Sequence, residues 1–441
     1  MLHGSPTLLD SPQSGCGAHP VPLSRLTPSP SVPDAELSRR HAPQSVSGST
    51  GSAGPLYLDS AAAVERFLAS IAATRVLAID TEGASFHRYV DRIYLLQIST
   101  ERTHAIIDPL RVDSPPGLGT LLEAREVEVV FHDADYDLRL LHQDYGWRVT
   151  NIFDTRLAAQ LLGIKAFGLA ALLDSFFGVR LDKKHQRADW SMRPLPRDML
   201  EYAAQDTMHL LQLRQRLRDA LETKGRLDWA QEEFDRLEGT RWNMEDPDGA
   251  FLRLKGARDL TRRELAILRE LVVWRSEVAR DLDRSTFRVA ANEVLFTLAR
   301  EAPTSLAVLE RVKGLSRTVV SRHGRAILQA IARGAALPEA DLPRFPRGPR
   351  WARDPEYESR VSRLKSARDR RATELEMDPG VLCPRERLEA IARRNPREAG
   401  ELLEVPDVRR WQVEVLGEEF IRGLRNGVPE ESPYREQGGS N

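Results

Sequence analysis

Apolar positions follow two rhythms along the chain. "PLYLD" reads as a short strand, Ser60 as an N-cap, and "AAAVERFLASIAAT" as an amphipathic helix whose apolar residues return every three or four positions. The apolar runs in "RVLAID", "RIYLLQIS" and "HAIIDP" predict three further strands. A helix around "GLGTLLEA" leads into a β-rich run, "VEVVFHD", and a long helical stretch is predicted from Pro196 to about Leu221. Strands mixed with helices in this order predict an α/β domain with a central mixed sheet over residues 55–225.

After Arg226 the strand pattern stops. A polar, Trp-containing connector (226–257) leads to "LTRRELAILRELVVWRSEVARDLD", which has strong helical periodicity. The composition shift here predicts that the chain before about Gly239 folds without the rest. Beyond it the pattern is helical, broken by a Pro/Arg-rich linker (336–356). The two sides share one plan: a charged helix, an irregular turn, a helix ending in Ala-Arg, a Pro, then a Leu-rich helix. That repeat predicts two copies of a small all-α domain, at 258–335 and 357–425. Residues 1–54 are rich in Ser, Pro, Gly and His without either rhythm, and residues 426–441 are similarly polar, so both ends are expected to be disordered. Nothing near the N-terminus resembles the apolar core of a signal peptide.

Composition adjusts this picture in three places. The 441 residues suit two or three domains rather than one core. Lys plus Arg number 64 against 65 Asp plus Glu, a net charge of −1, so nucleic-acid affinity has to come from local patches. "RVSRLKSARDRRATEL" and "PRFPRGPRWARD" are such patches, although a solvated helix face and a plain linker explain them equally well. The two cysteines, Cys16 and Cys383, lack metal-ligand spacing, which argues against disulfides or zinc and suits a reducing cytoplasm. No apolar run is long enough to span a membrane.

The candidate chemistry starts at "VLAIDTEGASF". Asp80 and Glu82 close an apolar strand, and alternation puts them on one face with Thr81 opposite. Carboxylates that close repel unless a cation lies between them, and oxygen ligands suit Mg²⁺ or Mn²⁺. A solvated strand end is the plain alternative. Two later stretches weigh against it. In "FHDADYDLRLL", Asp133, Asp135 and Asp137 follow a strand and open a helix; in "EYAAQDTMHLL", Tyr202 and Asp206 lie four apart on one helical face.

These three stretches, "AIDTEG", "FHDADYDLRLL" and "YAAQDT", resemble the motifs of the DEDD exonucleases that carry tyrosine in the third motif. "ADWSMRPLPRDMLEYAAQDTMHLL" narrows the resemblance to the ribonuclease D family, and the helical repeats resemble helicase-and-ribonuclease-D C-terminal (HRDC) domains. The second repeat departs further from that pattern, with Ala367 where the first has Trp274. The resemblance implies a ribonuclease-H-like fold and a two-metal 3′–5′ exoribonuclease. It assigns Asp80, Glu82 and Asp206 to one divalent ion, Asp80 and Asp137 to a second, and the orientation of the attacking water to Tyr202. In the second motif the family spacing runs from His132 to Asp137, leaving Asp133 and Asp135 nearer the turn as caps. His132, Gln97 and Trp190 are candidate substrate contacts, with His185 and Arg193 as weaker ones, while Asp154 reads as a helix cap. The implied substrate is RNA with a free 3′ end, such as a tRNA precursor, acted on by a cytoplasmic monomer. A DNA exonuclease is the alternative, though no phosphate-binding Gly-rich loop of a helicase accompanies the domain. A binding module without catalysis is the other, though all four carboxylates and the tyrosine are present.

Overall fold

The computed structural model describes residues 54–182, 184–243, 246, 248–346 and 354–425. Both expected tails, apart from Gly54, and residues 347–353 of the Pro/Arg-rich linker lie outside the described residues. The first domain runs β1 (Leu56–Leu58), α1 (Ala61–Ile71), β2 (Val76–Glu82), β3 (Leu95–Ser99), β4 (His104–Ile107), α2 (Pro116–Leu122) and β5 (Glu128–Phe131). It continues through α3 (Asp135–Tyr145), β6 (Ile152–Asp154), α4 (Thr155–Leu161), α5 (Leu169–Phe177), α6 (Arg197–Met208), α7 (Leu210–Thr223) and α8 (Leu227–Leu237).

The six strands form one sheet in the order β1-β4-β3-β2-β5-β6. β3 pairs antiparallel with β2 and β4, and the other pairings are parallel, which makes the sheet mixed. Alternation along β2 divides its side chains between two layers. Leu77 and Ile79 pack with α1, α2 and α3, while Ala78 packs with Phe153, α4 and α7 on the opposite face. The single helical stretch expected from Pro196 is two helices, which meet at His209 (φ −105°, ψ −2°). The break lets α6 cover β3 and β4 while α7 turns to lie against α4, β2 and β5.

The remaining helices are α9 (Arg262–Asp281), α10 (Thr286–Val289), α11 (Asn292–Glu301), α12 (Leu306–Leu309) and α13 (Arg317–Ala336), then α14 (Tyr357–Glu374), α15 (Pro379–Leu382), α16 (Arg385–Arg394) and α17 (Arg410–Arg425). The repeat is written into the backbone as well as the sequence. Left-handed residues fall 93 positions apart: Asp283 and Glu376, Ala302 and Asn395, Gly314 and Asp407. A buried arginine keeps the same interval. Arg275 donates to the Ala290 carbonyl (3.0 Å) and Arg368 to that of Cys383 (2.9 Å). Of the two residues that end the middle helices, Ala302 (φ 43°) is the more costly, because a β-carbon is disfavoured there and no side-chain amide compensates. Ala302→Gly is therefore expected to stabilise the chain by about 1 kcal/mol in chemical denaturation, and a destabilised variant would contradict this.

Both repeats dock on the first domain through the turn that follows their first helix. Asp283 pairs with Arg88 (3.0 Å) and accepts from the Tyr89 N–H (3.3 Å), and Ser285 donates to the Ser85 carbonyl. In the second copy, Arg226 donates to the Leu375 carbonyl (2.7 Å), and Glu376 presses its carbonyl against Gly163 (φ 83°). Residues 226–257 are not plain linker, since α8 lies within them and closes a core shared by the two domains. Phe153, Leu172 and Phe234 pack in one apolar cluster with Leu364, Leu388, Trp411 and Phe420. Trp229 and Trp411 stack with ring centroids 5.1 Å apart, and Arg409 holds Glu233 at 3.0 Å.

Candidate active site

β2 brings Asp80 and Glu82 to its carboxyl end, on the face covered by α6. The apolar run before them fixes the strand in the sheet, and the pleat then points both carboxylates toward the helix. From α6, Tyr202 and Asp206 face back, one turn apart, because Met199, Ala203, Ala204 and Thr207 bury that side of the helix. One carboxylate oxygen from each of Asp80, Glu82 and Asp206 lies within 4.8 Å of the other two.

The electrostatics of this group are those of anions without a counter-charge. Burial pushes the Asp80 carboxyl well above the usual range, and Asp137, Asp206 and Glu82 add to the shift. Glu82 is raised by burial and then by Asp206 and Asp137, and burial lifts Asp206 to about 7. Among the described residues no salt bridge reaches these three. Three oxygen donors, no sulfur or imidazole, and unneutralised charge fit a hard divalent cation.

The three aspartates of the second motif separate cleanly. Asp133 (φ 70°) is exposed and paired with Arg156, and Asp135 is exposed and bonded to Arg139 one turn along. Asp137 is buried, and burial raises it to about 7. Its Oδ1 accepts from both the N–H (3.0 Å) and the hydroxyl (2.5 Å) of Thr81. Thr81 thus has a task that its position between two acidic residues did not advertise: it ties the start of α3 to β2. Asp154 is the helix cap that its sequence suggested, accepting from the N–H groups of Arg156 and Leu157. It also accepts from Ala134 (2.7 Å), so one carboxylate joins the starts of α3 and α4.

A scan against family models matches residues 56–222 to a 3′–5′ exonuclease domain and residues 264–331 and 358–424 to HRDC domains. The ribonuclease D of Acidiphilium cryptum is 30% identical over 377 residues, covering 85% of this chain and 93% of that protein. The chain belongs to the ribonuclease D family. It is a 3′–5′ exoribonuclease of that family, as the motif resemblance implied. Among solved structures, Escherichia coli RNase D, described as an exoribonuclease involved in structured RNA processing, aligns with a TM-score of 0.65 at 25% identity. That match covers 86% of this chain and all of that one. A protein from Bifidobacterium adolescentis aligns with a TM-score of 0.74 at 26% identity, covering 84% and 97%.

For this ribonuclease D family member, the three candidate substrate contacts fall elsewhere than the sequence suggested. Trp190 is 2% exposed and stacks on Tyr202 (6.1 Å between ring centroids, 30° between planes), so it braces the tyrosine from behind. His132 turns its Nδ1 to the Thr155 hydroxyl (2.9 Å). That hydroxyl donates its proton to the Phe131 carbonyl, so the histidine is the donor. Burial lowers the imidazole to about 4, which leaves it neutral and occupied. Gln97 lies in an interior strand, not at an edge, and is fully buried. Of the weaker candidates, Arg193 grips both oxygens of Asp108 (2.6 and 2.7 Å) and donates to the Tyr94 carbonyl (2.8 Å), which fastens the loop before α6 to the sheet. Burial works against the Asp108 charge, but Arg193 and Tyr57 together hold its carboxyl below the usual range. His185 contacts the Tyr202 ring edge-on (5.6 Å) and lies 3.2 Å from Asp198. Among the described residues no helix is long and apolar enough to cross a membrane.

Proposed function

We propose that the chain removes nucleotides singly from the 3′ ends of RNA, structured RNAs such as tRNA precursors included, and releases nucleoside 5′-monophosphates. The observation that carries this reading is the meeting of Asp80, Glu82 and Asp206 within 4.8 Å beside Tyr202. The description of Escherichia coli RNase D as acting in structured RNA processing supports the substrate class. The setting proposed is the cytoplasm, with the chain acting as a monomer. Asp80, Glu82 and Asp206 would hold one divalent ion, Mg²⁺ or Mn²⁺, and Asp80 with Asp137 a second. When bound, such a pair supplies charge neutralisation for the attacking and leaving oxygens of an in-line displacement. Tyr202 orients the water. Burial, then Asp206, Glu82 and Asp80, keep its phenol above the ordinary range, so the proton stays on Oη and is available to donate. The water oxygen bonds to phosphorus and gives up a proton to solvent as the bond to the preceding nucleotide's 3′ oxygen breaks, and that oxygen leaves with the electron pair and takes up a proton from solvent.

Purified protein incubated with 3′-labelled and 5′-labelled RNA and DNA, with and without Mg²⁺ or Mn²⁺, tests the whole reading. Mononucleotides released from RNA 3′ ends only when metal is present support it. Release from the 5′ end, internal cleavage, or a preference for DNA would each overturn a named part. A finer test addresses the second motif. Asp137→Ala is expected to lower activity between about 10- and 100-fold or more, while Asp133→Ala and Asp135→Ala stay within about threefold of the native rate. Comparable loss at Asp135 would move the assignment to the exposed residue.

A further inference from the structure

Gln97 is a buried polar group for which the chemistry above has no use. It stands in the middle of β3, directly opposite Asp80 in the antiparallel register, so the two side chains leave the sheet on the same side. It is 0% exposed, and both ends of its carboxamide, Oε1 and Nε2, are enclosed without a hydrogen-bond partner. Its neighbours along that face are committed. Ser99 bonds Thr207 of α6 (2.7 Å) and His104 (2.8 Å), and Leu95 packs against Met199, Ala203 and Trp190. Enclosing an unmet amide is costly, whereas an apolar residue of the same shape would fill the space without that cost. The geometry therefore calls for a partner, and the residue that Gln97 faces across the sheet is Asp80.

We propose that Gln97 is a positioning residue for Asp80: its Nε2–H donates to the Asp80 carboxylate and fixes which oxygen is presented to a bound divalent cation. This rests on the reading of Asp80, Glu82 and Asp206 as metal ligands. Directly opposed residues on antiparallel strands have Cβ atoms roughly 4.5–5.5 Å apart, a span a glutamine amide covers to reach an aspartate. Gln97 adds no charge, so the site keeps its full attraction for the cation while one ligand loses its rotational freedom. With α6 packed over β3, no nucleotide reaches Gln97, and the residue acts only through Asp80. Groups that orient a metal ligand in this way typically carry about 10- to 100-fold in metal affinity or activity.

Full-length Gln97→Met and Gln97→Leu, both close to glutamine in volume, provide the test, with Mn²⁺ as the probe. Mn²⁺ binding is measured directly by electron paramagnetic resonance without RNA, thermal unfolding is measured in EDTA, and kcat and KM are measured on a short RNA strand. The expected result is Mn²⁺ affinity lowered about 10- to 100-fold. Unfolding in EDTA should be at or above the native temperature, and kcat should be reduced at saturating RNA with KM unchanged. Native Mn²⁺ affinity in either well-folded variant overturns the proposal. So does a lowered unfolding temperature in both variants, which would make the amide part of the metal-free fold. A raised KM with normal Mn²⁺ binding would make Gln97 a substrate contact and overturn it as well. Native protein that binds no Mn²⁺ would instead remove the metal reading of the carboxylates, and the role of Gln97 with it.

Discussion

Asp80→Asn and Asp206→Asn are each expected to reduce hydrolysis at least about 10³-fold while raising the unfolding temperature of the metal-free protein. The loss follows from charge. A carboxylate that contributes several kcal/mol of transition-state stabilisation through a bound cation accounts for roughly three decades in rate, and a neutral amide of the same shape supplies almost none of it. The gain in stability follows from the same residues considered without a cation. Burial raises all three carboxyls, and neighbouring carboxylates raise Asp80 and Glu82 further, so deleting one charge relieves the cluster. The two effects have opposite signs in one variant, which a general disruption of the fold cannot reproduce. Melting curves in EDTA, run beside turnover at saturating Mg²⁺, make the comparison. Substantial turnover in either variant would sink the metal assignment, and a lower unfolding temperature would show that some unrecognised partner neutralises the cluster.

Trp411→Ala is expected to cost about 3–5 kcal/mol of stability, a large fraction of what a whole domain possesses. Trp411 is 3% exposed, stacks on Trp229, and donates from Nε1 to Glu233 (2.9 Å). Its removal leaves a large cavity at the junction of two domains and takes one donor from Glu233, which Arg409 still holds. For the same reason, a chain ended near Gly239 is expected to aggregate, although the composition break there suggested a self-sufficient nuclease. Such a fragment would expose the faces of α8 and α4 against which α17 and α15 pack in the full chain. Urea denaturation of Trp411→Ala, together with the yield of soluble truncated protein, tests the claim. A stable, monomeric fragment would reduce the second helical domain to a passenger. Turnover of Trp411→Ala on a short RNA at low temperature should stay near the native rate, since the residue lies in a different apolar cluster from Trp190, Met199 and Ala203.

What could be foreseen from the residues alone was local. Alternation placed Asp80 and Glu82 on one face, and the helical repeat placed Tyr202 above Asp206, because both patterns need only a few consecutive residues. What escaped depended on pairings distant in sequence. Gln97 read as a candidate substrate contact until β4 paired on its far side and set it inside the sheet. Arg193 beside a proline reads as a loop residue open to substrate, yet its partner Asp108 comes 85 residues earlier. Trp190 carries the composition of a stacking platform, and only the path of the loop before α6 turns it inward against Tyr202. α8 lay inside what reads as a polar connector, and nothing local showed that it would share a core with α17.

That shared core also sets an order of events during synthesis. Trp411 and Glu233 are separated by 178 residues, and α17 is the last of the described elements to leave the ribosome. The sheet and its acidic strand end can assemble early, but the outer face of α8 stays uncovered until the second helical domain has emerged and docked. Closing so distant a contact is slow compared with forming the local helices on either side of it. The newborn enzyme therefore passes through an interval in which its catalytic strands are in place and one flank is bare, and the C-terminal helix ends that exposure.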